Sequence, residues 1–121
     1  MKIEIPVSVG ELLDKITILE IKSRFTNDEY VIKELNELNI IWDTITSYTI
    51  DHINQLREVN KKLWDIEDKL RILEKEKRFD QEFIELARNV YIINDERARI
   101  KRDINETVNS EYKEIKLYSK E

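Results

Sequence analysis

The sequence predicts an all-α protein, an antiparallel helical bundle of about four helices with short N- and C-terminal strands able to pair. Charged residues make up 39% of the chain and hydrophobic residues 40%, with one Gly and one Pro among 121 positions. That is the composition of long amphipathic helices with few tight turns. Four stretches repeat apolar residues at helical spacing, and three of them open on a capping signal. The length fits one domain spanning 1–121.

Ile3, Ile5 and Val7 alternate with Lys2, Glu4 and Pro6, an edge-strand pattern that tolerates its proline. Ser8 to Glu11 reads S-x-x-E, a capping box in which Ser8 serves first-turn amides and Glu11 reaches back. The helix it opens runs to about Phe25. Leu12, Ile16 and Leu19 lie on one side of it and Ile18, Ile21 and Phe25 on another, so it belongs between neighbours.

Thr26 to Glu29 repeats the capping pattern and opens a second helix with Val31, Leu35, Leu38, Trp42 and Ile45 on one stripe. The Thr- and Ser-rich run from Thr44 to Asp51 closes it. The third helix carries a heptad seam, Leu56, Leu63 and Leu70 in one position and Val59, Ile66 and Leu73 in the other. A short polar link then predicts an antiparallel hairpin, with Asp80 as N-cap and Phe79 stapled against Ile84. The fourth helix runs to about Val108, and its seam of Phe83, Leu86, Val90, Ile93, Arg97, Ile100 and Ile104 is interrupted once, by Arg97. A second alternation around Ile115 and Leu117 predicts the strand that pairs with the first.

Several functions are disfavoured by composition. The formal charge is -5 and there is no Cys, which rules out disulfides and thiolate metal sites and argues against nucleic acid or an anionic membrane as partner. The basic run Arg97, Arg99, Lys101 and Arg102 is interleaved with acids and spread around its helix. No segment approaches a membrane span and the first residues lack a signal-peptide pattern, so the expected location is cytoplasmic. His52 is the one histidine, and it reads as a solvated helix residue. Gly10 has no companion glycines with which to cradle a phosphate. No metal, cofactor or catalytic residue is therefore assigned.

The pairs Glu34 with Glu37 and Asp65 with Asp68 have the i, i+3 spacing used by all-α magnesium-dependent nucleotide phosphohydrolases, which is the alternative enzymatic reading. In so acidic a chain that spacing is no commoner than chance. Most remaining charge forms i, i+4 pairs such as Glu11 with Lys15, Glu67 with Arg71 and Glu74 with Arg78, a solvated helix surface.

The more informative feature is a polar layer. With a hairpin turning near residue 79, Arg97 comes level with Asn60, Lys61 and Trp64, and Asn94 with Trp64. Asn60, Trp64, Glu67 and Arg71 share one stripe, and Asn94, Ala98, Lys101 and Asn105 another. Lys15 and Lys22 stand with Glu11 on a stripe of the first helix. The candidate ligand-binding residues are thus Lys15, Lys22, Asn60, Trp64, Glu67, Arg71, Asn94, Arg97 and Lys101, suited to a small anionic or hydrogen-bonding ligand. The bland reading of the same layer is an ion pair, Arg97 with Glu67 or an amide such as Asn60, that fixes register. On that reading Arg97→Met changes stability by less than about 2 kcal/mol. The exposed stripe around Ile40, Ile41 and Trp42 predicts a homo-oligomer, a dimer in the simplest case.

The segments IPVSVGELLDKITILEIK (5–22), LWDIEDKLR (63–71) and FIELARNVYIINDERARIKRDIN (83–105) resemble a family of small bacterial and phage proteins catalogued as a domain of unknown function. The resemblance spans nearly the whole chain and carries no assigned activity. It implies at most an accessory role in surface-polysaccharide metabolism. The function expected is a non-catalytic interaction or ligand-binding module.

Overall fold

A computed structural model describes residues 1–45 and 50–117. Among the described residues four helices follow one another: α1 (Val9–Ser23), α2 (Glu29–Asp43), α3 (Ile50–Lys75) and α4 (Gln81–Thr107). α3 and α4 form the long antiparallel hairpin. α1 packs against both of them and against α2, whereas the α2 backbone approaches α1 and neither helix of the hairpin. The result is a three-helix core with a fourth helix laid on its outer side.

Burial follows the seams. Leu12, Leu13 and Ile16 of α1 meet Ile53, Leu56 and Val59 of α3 and Ile100 and Ile104 of α4 in one cluster, flanked by Leu35, Leu38 and Trp42 of α2 and by Ile45 just beyond its end. Trp42 therefore points into the protein, which corrects the expectation that it is uncovered; Ile40 and Ile41 remain exposed. α2 has no fully buried residue, because its single apolar stripe rests against one neighbour only.

The helix ends show why the elements stop where they do. Asp80 caps α4 through the Phe83 amide at 3.3 Å, and Phe79 packs edge-on against Phe83 with ring centroids 5.2 Å apart. Asp28, not Thr26, caps α2, accepting from the Tyr30 amide at 2.8 Å. After α3 the chain reverses at Lys77 in the left-handed region (φ 58), with Arg78 N–H donating to Leu73 C=O and Lys77 N–H to Glu74 C=O. This Schellman geometry recurs after α4. Asn109 has φ 51, and Ser110 and Asn109 donate to the carbonyls of Asn105 and Glu106.

The second Schellman turn bends the chain back along α4, and this overturns the expected terminal strands. Among the described residues there is no β-strand. Ile3, Ile5, Val7, Ile115 and Leu117 are all exposed, while Glu114, on the other side of its segment, reaches inward to Lys101. An isolated pair of short strands is marginal in water. With its inward side polar, the C-terminal segment has no apolar face to rest on the bundle.

Candidate functional site

The site grows from a buried stripe of α1: Gly10, Asp14, Thr17 and Ile21, spaced four, three and four residues apart and all buried. The first two meet α4. At Gly10 the helices approach so closely that a Cβ there would lie 2.7 Å from the Lys101 carbonyl oxygen, and the Gly10 amide donates to Asn105 Oδ1 at 2.7 Å. Val9 N–H donates to Ser110 Oγ, and Glu11 N–H to Ser8 Oγ. Side chains of the chain itself thus engage the free amides that would make the α1 N-terminus an anion site. The capping box is half realised, because the Glu11 carboxylate goes to Lys101 instead of back to the backbone.

Asp14, 1% exposed, is the hub. Arg97 grips its carboxylate with two bonds, Nε to Oδ1 at 2.8 Å and Nη2 to Oδ2. Asn60 Nδ2 donates to the same Oδ1 at 3.0 Å and to Thr17 Oγ1 at 2.8 Å, while Thr17 donates to the Asp14 carbonyl. Burial pushes the Asp14 pKa up. Hydrogen bonds from Arg97 and Asn60, with the charges of Arg97 and Lys101, overcome that and hold the carboxyl below its ordinary 3.8. The Asp14 hydrogen bond correspondingly raises the pKa of Arg97 above its ordinary value. A turn further along α4, the Lys101 ammonium, its side chain 6% exposed, lies 2.9 Å from Glu11 and 3.3 Å from Glu114.

Above this network an open groove of ≈ 410 Å³ runs along α4, lined among others by Tyr91, Asn94, Arg97, Ala98, Lys101 and Glu114. Ala98 supplies the depression, being small between longer neighbours. Arg97 reaches the groove with its side chain 27% exposed. Its Nη1 donates to Asn94 Oδ1 at 3.3 Å, so three of five guanidinium N–H groups are engaged among the described residues and two are left.

Asn60, Asn94, Arg97 and Lys101 are thus brought together as the sequence predicted. The other five are not. Lys15 is exposed and pairs with Glu34 of α2 at 2.7 Å; Lys22 is exposed on the last turn of α1. Trp64 stacks on Phe25 at 5.4 Å and 8° instead of lining the groove. Glu67 and Arg71 are exposed, and Arg71 pairs with Asp68 at 3.7 Å. Arg97 is held by Asp14, not Glu67. The physical reason is length: α1 has 15 residues and α3 has 26, so α1, about 22 Å long, ends before the Glu67 level of an α3 about 39 Å long.

The carboxylate pairs do not form the facing arrangement that phosphohydrolysis would need. Glu34 and Glu37 lie on α2 and Asp65 and Asp68 on α3, two helices whose backbones do not approach. Asp65 is held by Lys61 at 2.8 Å. Among the described residues no group of three or more His, Asp or Glu could hold a metal ion. No described helix is long and apolar enough to cross a membrane.

A small helical protein whose core encloses a buried carboxylate–guanidinium pair beside an open groove is the class the fold defines. The chain belongs to a family of unknown function (DUF6165), whose model matches residues 1–121. No curated protein and no solved structure matches it.

Proposed function

We propose that the protein is a non-catalytic cytoplasmic binding module, and that the α4 groove takes a small ligand bearing oxygen acceptors. The observation that carries this reading is Arg97: Asp14 holds the guanidinium with two bonds, two of its N–H groups are not engaged among the described residues, and the side chain lines the groove. A fork immobilised before binding loses little side-chain freedom on meeting an acceptor. Asn94 beside it and the exposed Tyr91 ring add an amide and an apolar face, the mixture of small-ligand sites.

Charge narrows the ligand. Arg97, Lys101 and Lys116 are answered by Asp14, Glu11 and Glu114, and Asp95 also lines the groove, so it has no surplus of positive charge for a phosphate or nucleotide. A single carboxylate with neighbouring hydroxyls fits better. An accessory role in surface-polysaccharide metabolism is compatible with such a ligand and has its support in the sequence resemblance.

The test is nitrogen-detected NMR of the Arg97 and Asn94 side chains, titrated with sodium glucuronate and, at matched ionic strength, with inorganic phosphate. Glucuronate should shift both signals at millimolar concentration while phosphate leaves them in place. The Asn94→Ala variant should keep the melting temperature and lose the response. Unchanged Arg97 and Asn94 signals with glucuronate would remove the basis of the reading.

A further inference from the structure

The stripe that begins with Asn60 and Trp64 does not end where α1 ends. It continues through Glu67, Arg71 and Glu74 at spacings of four and three, and past the helix end to Arg78, giving the charge sequence minus, plus, minus, plus. All four are exposed. Intrahelical pairing does not account for this pattern. Arg71 pairs with Asp68 and Arg78 with Asp80, Glu76 and Glu82, and Glu67 and Glu74 enter no ion pair among the described residues. On the facing side of the hairpin, Ile84 and Tyr91 are exposed on the stripe that carries Ala87. A groove that α1 fills at one end is thus continued at the other by alternating charges beside apolar side chains.

We infer that this overhanging half of the α3–α4 hairpin docks a second copy of the chain, two hairpins meeting antiparallel about a two-fold axis that crosses α3 between Ile72 and Leu73. Charge complementarity selects that occupant. Under a two-fold, residues equidistant from the axis oppose each other. Arg71 then meets Glu74 of the second copy, and Glu67 meets its Arg78, each contact made twice and each between opposite charges. The same axis crosses α4 near Glu85, which brings Ile84 up to Ala87 of the second copy, a large side chain over a small one. An in-register parallel pairing, or an antiparallel one shifted by a turn, sets like charges together, and a parallel pairing shifted by a turn does not close under a two-fold. The dimer is therefore placed on the hairpin and not on α2, whose Trp42 is turned inward. The inference needs no ligand, and of the residues it names Tyr91 alone also lines the ligand groove.

Sedimentation equilibrium of the whole chain, with charge variants, tests it. The unmodified protein should sediment at twice the 14.7 kDa of one chain, with dissociation increasing with salt. Arg71→Glu and Glu74→Arg, each introducing two repulsions, should each weaken dimerisation about tenfold or more. The double variant Arg71→Glu with Glu74→Arg should restore it, since the new charges again oppose across the axis. Circular dichroism melting verifies that each variant is folded. A monomer at high micromolar concentration overturns the inference. So does a dimer indifferent to the single substitutions, or a double variant no better than the singles.

Discussion

Arg97→Met separates the pair the structure shows from the one the sequence suggested. Against an exposed Glu67, losing the guanidinium would be mild. Against Asp14, 1% exposed, it strands a buried carboxylate with Asn60 as its remaining side-chain donor among the described residues. Breaking one side of a buried pair costs about 3–5 kcal/mol. Methionine, more apolar in the seam between Ile93 and Ile100, returns about 1 kcal/mol, leaving a loss of about 2–4 kcal/mol at neutral pH. Asp14→Leu with Arg97→Met removes both charges and should fall within about 2 kcal/mol of the unmodified protein, because an apolar pair of similar volume replaces them. Urea unfolding of the single and double variants reads the coupling directly. The pH response adds a sign. In Arg97→Met, burial no longer meets its main opposition and the Asp14 pKa rises above its unfolded value. The variant therefore regains stability as pH falls through that raised pKa. A single variant within about 1 kcal/mol of the original, or a loss that does not ease on acidification, refutes the assignment of Asp14 as the partner.

Three further outcomes follow from the contacts around α1 and the turns. Gly10→Ala puts a methyl 2.7 Å from the Lys101 carbonyl oxygen, part of the α4 backbone and unable to swing aside, so thermal melting should show a loss of about 1–3 kcal/mol despite alanine's better helix propensity. Asn105→Ala leaves the Gly10 amide without its 2.7 Å acceptor and should cost about 1–3 kcal/mol in urea unfolding. Lys77→Gly relieves a left-handed residue (φ 58) and should stabilise by about 0.5–1 kcal/mol, read as a higher denaturation midpoint with unchanged slope.

Much of the architecture is legible in the sequence because its signals are local. The Leu56 and Val59 heptad lines, the Asp80 cap and the Arg97 interruption all depend on residues a few positions apart. Asp14 is less legible. The first helix reads as apolar on two sides and therefore central, and a carboxylate between such stripes has to find a buried cation. Gly10, Asp14, Thr17 and Ile21 at helical spacing were the available signal, obscured because Asp14 precedes Lys15 and looks like ordinary surface charge. Glu67 and Arg71 show the opposite case, sharing the stripe without reaching the layer. Helical periodicity gives the stripe on which a residue lies but not where the neighbouring helix ends. The terminal alternations at Ile3 to Val7 and around Ile115 likewise report a two-residue period without supplying a strand partner.

The most direct test of the account is the carboxyl titration of Asp14, followed by carbon NMR in the unmodified protein. With Arg97 and Asn60 on the carboxylate, its midpoint should lie below the ordinary 3.8. The stability it contributes should then be present above the unfolded carboxylate pKa and be lost as pH falls through the depressed one. A midpoint at or above 3.8 would show that burial dominates, and would contradict a core built on the Asp14–Arg97 pair.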